Sequence, residues 1–108
     1  MRLRIDTNEV KFRVSGTAKR KQVKGQDATT PDGRPVWVVR LTAIEEAREA
    51  SETIWVEVAG DEPKLTFDGF VEVHGLSFAP WVNRQNKIVR SFRADQVTPE
   101  AQAARRAA

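Results

Sequence analysis

The fold class is decided by residues 36–44, which read Val36-Trp37-Val38-Val39-Arg40-Leu41-Thr42-Ala43-Ile44. β-Branched and aromatic side chains dominate this stretch, and such residues fit the pleated, half-buried surface of a sheet. A second stretch, Thr53–Val58, alternates cleanly, with its β-branched apolar residues on one face and Trp55 on the other. Both stretches are therefore predicted to be strands of an all-β protein.

Three more strands are predicted around this pair. Val10–Val14 alternates apolar and basic residues, and Gly16 is a candidate bulge. Phe70–Ala79, which Gly75 interrupts, and Ile88–Ala94 complete the set. Five short strands with one long loop between the first and second favour a five-stranded OB-fold-like barrel, with a β-sandwich or an SH3-like barrel as alternatives.

Two loops and two tight connections join these strands, one of the latter being a turn at Gly60-Asp61-Glu62-Pro63. Residues 17–35 have no apolar periodicity, so they are predicted to be a long loop with a turn at Pro31-Asp32-Gly33. Glu45–Glu52 is predicted to be a turn or a single helical turn, and residues 80–87 a second loop. A loop as long as the first is usually functional or disordered in a compact domain.

The length of 108 residues indicates one domain. Residues 1–99 are assigned to the barrel and residues 100–108 to a C-terminal tail, in which Thr98-Pro99-Glu100 can begin a short helix. The absence of cysteine excludes disulfides, thiolate nucleophiles and cysteine-ligated metals. With a charged N-terminal stretch and no long apolar run, we expect a cytoplasmic protein that does not associate with membranes.

Charge is distributed unevenly along the chain. Residues 10–40 contain eight basic and two acidic residues, whereas residues 41–72 contain nine acidic and two basic ones. Residues 84–93 add four basic residues without an acid. The basic segments coincide with the two loops that border the ligand-binding face of an OB-fold, and the acidic segment is expected to lie away from that face.

This coincidence predicts a site for a single-stranded nucleic acid, with cations for the phosphates and flat rings for the bases. Trp55, on the polar face of its strand, is either a stacking platform or an interface residue. Trp37 alternates with core positions, and Trp81 is either a platform or a lid on the barrel. Phe92 can stack or join the core, and Phe12 and Phe67 are expected in the core. The candidate binding residues are Lys19, Arg20, Lys21, Lys24, Arg34, Trp37, Arg40, Trp55, Trp81, Arg84, Lys87 and Arg90.

Short motifs add a resemblance. Gly75-Leu76-Ser77-Phe78-Ala79-Pro80-Trp81, followed by Ser91-Phe92-Arg93-Ala94-Asp95, resembles the end of small proteins encoded on plasmids and integrative elements of high-GC Gram-positive bacteria. Asp32-Gly33-Arg34-Pro35-Val36-Trp37 is similar to an earlier segment of the same proteins. The layout resembles the OB-fold single-stranded DNA-binding proteins of filamentous phages. The resemblance implies an accessory role in plasmid replication or conjugative transfer, but the chain lacks the acidic, Gly-rich tail of housekeeping single-strand binders.

Catalysis has little support in the sequence. His74 is the only histidine, so no Ser–His–Asp arrangement follows from the spacing. The acidic segment lacks the pattern of a calcium loop, and Gly-rich phosphate loops are absent. We therefore expect a non-enzymatic protein without a cofactor or metal, whose partner is DNA rather than RNA. A protein-interaction adaptor of the same fold and a homodimer stay open as alternatives, and a small hydrolase ranks last.

Overall fold

The computed structural model describes residues 2–82 and 84–100, and for Trp81 and Val89 it describes the backbone alone. Ten strands and one short 3₁₀ helix make up this part of the chain. They are β1 (Leu3–Arg4), β2 (Lys11–Arg20), β3 (Gln22–Val23), β4 (Gln26–Asp27), β5 (Val36–Glu45), the 3₁₀ helix (Glu46–Arg48), β6 (Ala50–Ala59), β7 (Phe70–His74), β8 (Ser77–Val82), β9 (Ile88–Ala94) and β10 (Gln96–Pro99). The protein is all-β, as predicted.

Eight strands form one curled, barrel-like sheet in the order β1-β8-β9-β6-β5-β2-β7-β10. Neighbours are antiparallel except β6 and β9, which run parallel with Val56 beside Phe92. The predicted count of five is therefore wrong, because bends split long strands. The chain bends at Gly75, with a φ of 66°, between β7 and β8, and the facing strands β9 and β10 are separated only by Asp95. The β8–β9 and β7–β10 pairs share one continuous register, which runs from Val82 opposite Ile88 to Val71 opposite Pro99.

The core lies inside this curl. Alternation puts every second residue of β2, β5 and β6 inward, and Val14, Val39, Leu41 and Val56 are almost completely buried. The remaining core residues are Phe12, Ile54, Val58, Val71, Val73, Leu76, Ala94 and Val97. Burial of these apolar side chains is the main favourable contribution to folding, and it fixes which side chains of the same strands face outward.

The predicted loop over residues 17–35 is largely ordered backbone pairing. β2 continues to Arg20, which pairs with Trp37, after register shifts on either side of Gly16 that confirm the predicted bulge. β3 and β4 then form a separate two-stranded ribbon. Apolar periodicity did not predict these strands, because the ribbon and the end of β2 carry polar residues on both faces. Without a buried face, a strand leaves no alternation of apolar and polar residues in the sequence.

Other predictions can be compared directly. The turn at residues 31–33 is confirmed by the Gly33 N–H bond to the Thr30 carbonyl (2.9 Å), and a 3₁₀ turn links β5 to β6 as expected. Phe67 is 65% exposed, so its assignment to the core is wrong: it lies in the turn between β6 and β7. Thr98 and Pro99 belong to β10 and Glu100 is helical, whereas the rest of the predicted C-terminal helix, residues 101–108, lies outside the described residues.

Candidate nucleic-acid interface

The outward face of β5 and β6 carries an aromatic ring beside a cation. Arg40 and Trp55 are direct cross-strand partners, and partners in an antiparallel pair project to the same face. Trp55 is 58% exposed, although Ile54 and Val56 on either side of it are buried. A large aromatic side chain that remains exposed on a strand whose other face builds the core offers a flat surface to a ligand.

Arg40 is held in place by the bulge in β2. Its Nε donates a hydrogen bond to the Ser15 carbonyl at 3.0 Å, and its Nη2 donates to the same oxygen. A Cβ at Gly16 would come within 3.0 Å of the Arg40 Nε, so glycine leaves the room that the guanidinium needs. The bulge therefore holds the guanidinium on the β2 side of Arg40, whereas Trp55 lies on the other neighbour of β5, strand β6.

Glu57 follows two residues after Trp55 on the same face, and its carboxylate pairs with Lys21. The side chain is only 17% exposed, with Lys21 Nζ at 2.5 Å and the Ser91 hydroxyl at 3.4 Å. Arg2 reaches over β8 to donate to the Ser91 carbonyl (3.0 Å) and hydroxyl (2.8 Å). Burial, and next the positive charge of Arg93, lower the pKa of Arg2, whereas Glu57 acts in the opposite direction.

Two candidate cations are Lys24, on the β3–β4 ribbon, and Lys19, near the end of β2. Lys24 and Gly25 both have positive φ, 53° and 79°, between the paired residues Val23 and Gln26, which defines a type I′ hairpin turn. Lys24 is therefore presented at the ribbon tip. Lys19 is exposed, and neither lysine forms an ion pair with any described residue.

Other candidates in the 17–37 segment are engaged in structure. The Arg20 guanidinium lies 5.4 Å above the Trp37 ring centre and 3.8 Å from Asp27. Trp37 is half-buried and donates from Nε1 to the Gly60 carbonyl at 3.0 Å. Arg34 pairs with Asp32 at 3.0 Å. Hydrogen bonds from Thr30 and then Arg34 lower the pKa of Asp32.

The β8–β9 hairpin carries the second basic cluster. β8 extends to Val82, so the predicted loop is shorter than residues 80–87. Arg90 pairs with Glu52 and lies 5.6 Å from the Phe92 ring centre, while Arg84 and Lys87 are exposed at the turn. Trp81 lies in β8 and its backbone pairs with Val89 of β9. The structure does not describe the Trp81 side chain, so its role stays a prediction.

The two basic clusters lie at opposite ends of β6. Lys21 contacts Glu57 near the C-terminal end of that strand, whereas Arg90 contacts Glu52 near its start. Five residues of strand separate these acids by about 17 Å. Arg90 and Glu52 alternate with Phe92 and Ile54 along their strands and line the cavity at the barrel end, so this pair does not lie on the outward β5–β6 face. The acidic segment is not wholly remote from the outward face, because Glu57 lies on it.

Sequence reasoning missed the contribution of β1. Arg2 and Arg4 precede the first predicted strand, and no periodicity connects them to residues 57–93. Pairing of Arg4 with Ser77 brings them onto the same sheet. The one available signal was the basic, apolar, basic pattern of residues 2–4, which is too short to identify a strand.

The rest of the surface offers no competing reactive centre among the residues that the structure describes. An apolar cavity of about 410 Å³ opens at the end of the barrel, lined by core residues such as Phe12, Ile54 and Phe92. His74 Nε2 lies 3.1 Å from the Thr98 hydroxyl. In residues 2–82 and 84–100 no three metal-binding side chains come together, and no helix there is long and apolar enough to cross a bilayer.

No protein-family model, curated protein or solved structure is significantly similar to this chain.

Proposed function

We propose that this protein binds single-stranded nucleic acid, DNA in preference to RNA, on the outer face of β5 and β6. The observation that carries the proposal is the cross-strand pair of Arg40 and the 58% exposed Trp55. A base stacks on the indole, and the cations beside it contact the phosphates, which is the usual recognition of single strands. No catalytic step is part of this function.

The sheet topology supports an OB-like architecture for this role. If β7 with β8 and β9 with β10 are each counted as one bent strand, five long strands follow one another around the curl. β2 pairs with β5 and β7, β5 with β6, β6 in parallel with β9, and β9 with β8. The β5–β6 face then corresponds to the face of strands 2 and 3 on which OB-folds bind oligonucleotides.

The resemblance of residues 75–81 and 91–95 to proteins of plasmids and integrative elements extends the proposal to a biological setting. In that setting the protein acts in the cytoplasm as an accessory factor that covers single-stranded DNA during plasmid replication or conjugative transfer.

Salt dependence of binding to a fluorescently labelled oligonucleotide tests the function. Four to six phosphate contacts on single-stranded DNA give a log–log slope of roughly −3 to −4, at about −0.7 per contact. A matched RNA oligonucleotide measures the preference for DNA. A slope near zero, or no binding at low salt, would contradict the proposal.

One observation favours the adaptor as a second candidate. Val82 and Ile88 face each other near the hairpin tip and are 59% and 77% exposed, and paired exposed apolar side chains often mark protein contacts. An adaptor function predicts that Val82→Ser with Ile88→Ser changes the native mass or partner capture and leaves oligonucleotide affinity unchanged.

A further inference from the structure

A row of side chains crosses the outer face beside Trp55, perpendicular to the strands. Each member is the register partner of the next, so all of them project outward. The row runs through Lys19, Val38, Glu57, Arg93, Ser77 and Arg4, on β2, β5, β6, β9, β8 and β1 in that order. At about 4.8 Å between neighbouring strands, it covers about 24 Å of the curved surface.

Positive charge dominates this row. Lys19, Arg93 and Arg4 are exposed members of it, while Lys21 and Arg2 reach it from the sides. Glu57 is its only acid, and Lys21 already neutralises that carboxylate. Such a line of cations is attractive to a chain of phosphates.

The groove next to the row, of about 660 Å³, also contains Asp32 and Asp95. Arg34 pairs with Asp32 at 3.0 Å, and Asp95 packs against Gly75 at the bend between β7 and β8. These two acids therefore border the row on one side. Arg93 belongs to the row and also lines the groove, and it remains available to a ligand.

Arg93, in the row, and Arg2, beside it, form the pair of cations best prepared for an anion. Hydrogen bonds to Ser91 fix the Arg2 guanidinium over β9, where, after burial, the positive charge of Arg93 lowers the pKa of Arg2. Two like charges held near each other are stabilised when an anion binds to both, and planar guanidinium groups match the oxygens of a phosphate.

We propose that Arg93, Arg4 and Arg2 contact the phosphates of the bound single strand, so that the N-terminal strand β1 is part of the binding surface. This inference rests on the proposed function and adds the path that the sugar–phosphate backbone takes over the protein surface. The row lies two residues beyond Trp55 along β6, which is about 7 Å. The sugar–phosphate backbone therefore follows the row across the strands, while a base stacks on Trp55 beside it.

Removing single charges from the row tests the path. Arg93→Gln and Arg4→Gln should each weaken binding to a labelled single-stranded oligonucleotide and reduce the magnitude of the salt slope by about 0.7, the value of one phosphate contact. The double variant should reduce it by about 1.4. Both side chains are exposed, so the thermal unfolding midpoint should remain close to that of the parent.

Arg48→Gln is the matched control. Arg48 is 81% exposed on the 3₁₀ helix, outside the row, and its loss lowers the net charge by the same amount. It should leave the slope unchanged. Parental slopes in both row variants, with a parent that binds, would overturn the path and leave the proposed function intact. A parent that does not bind would overturn both.

Discussion

Trp55→Ala is the most informative single substitution on the β5–β6 face. Trp55 is 58% exposed and shares no part of the core, which Ile54, Val56 and Val58 build from the other side of the strand. Its loss should therefore change the free energy of unfolding by no more than about 0.5–1 kcal/mol, as is usual for exposed positions. A stacked base contributes about 1–3 kcal/mol, so the dissociation constant for the oligonucleotide should rise about 5- to 150-fold.

The assay is fluorescence anisotropy of one labelled oligonucleotide at two salt concentrations. No phosphate contact is removed, so the salt slope should stay at the parental value while the affinity falls at both concentrations. Trp55→Phe, which keeps a ring, should recover part of the loss. Thr53→Ala is the control: Thr53 lies two residues earlier on the same strand, is exposed, and pairs with Thr42.

Parental affinity in a folded Trp55→Ala variant would refute the stacking role and move the aromatic contact to Trp81. A change in native mass or in partner capture at unchanged affinity would instead identify Trp55 as a protein-interface residue. The three outcomes differ in affinity, slope and mass, so one set of measurements separates them.

Two further predictions concern charge and the barrel bend. Changing Glu45, Glu46 and Glu49 together to Gln should leave oligonucleotide affinity unchanged or slightly higher, because these acids lie around the 3₁₀ helix, away from Trp55. Loss of binding with an unchanged circular dichroism spectrum would mean that the binding face is misplaced. Gly75→Ala should destabilise the protein by about 1–2 kcal/mol, because residue 75 has a φ of 66° and a Cβ there would meet the Asp95 carboxylate. Chemical denaturation measures the second effect, and an unchanged midpoint would show that the bend tolerates a side chain.

The sequence predicted the strands that carry the core because their signal is local. Residues 36–44 and 53–58 alternate against a buried interior, and the same alternation correctly predicts that Trp55 faces outward. β10 was missed because Gln96–Pro99 has no alternation of its own and is paired only through the continued register with β7. Phe67 was misplaced because hydrophobicity alone does not distinguish a core position from a turn.

The candidate site was less accessible to sequence reasoning, because cross-strand neighbours are set by register. Arg2 meets Ser91 across 89 positions of sequence, and Glu57 meets Lys21 across 36. Local charge counts assigned Glu57 to an acidic block and Lys21 to a basic block, although they form one ion pair. Counts along the chain therefore identified segments rich in basic residues but not which charges the register brings together.

The length of the β3–β4 ribbon determines how far the Lys24-Gly25 turn lies from the barrel. Its strands pair with each other and not with the eight-stranded sheet, so its length is not constrained by the barrel. Inserting one residue in each arm would exchange its two faces, whereas inserting two in each arm would keep every side chain on its present face and move the Lys24-Gly25 turn outward by about 7 Å. Related chains can thus differ in how far Lys24 projects in discrete steps, without any compensating change in the core.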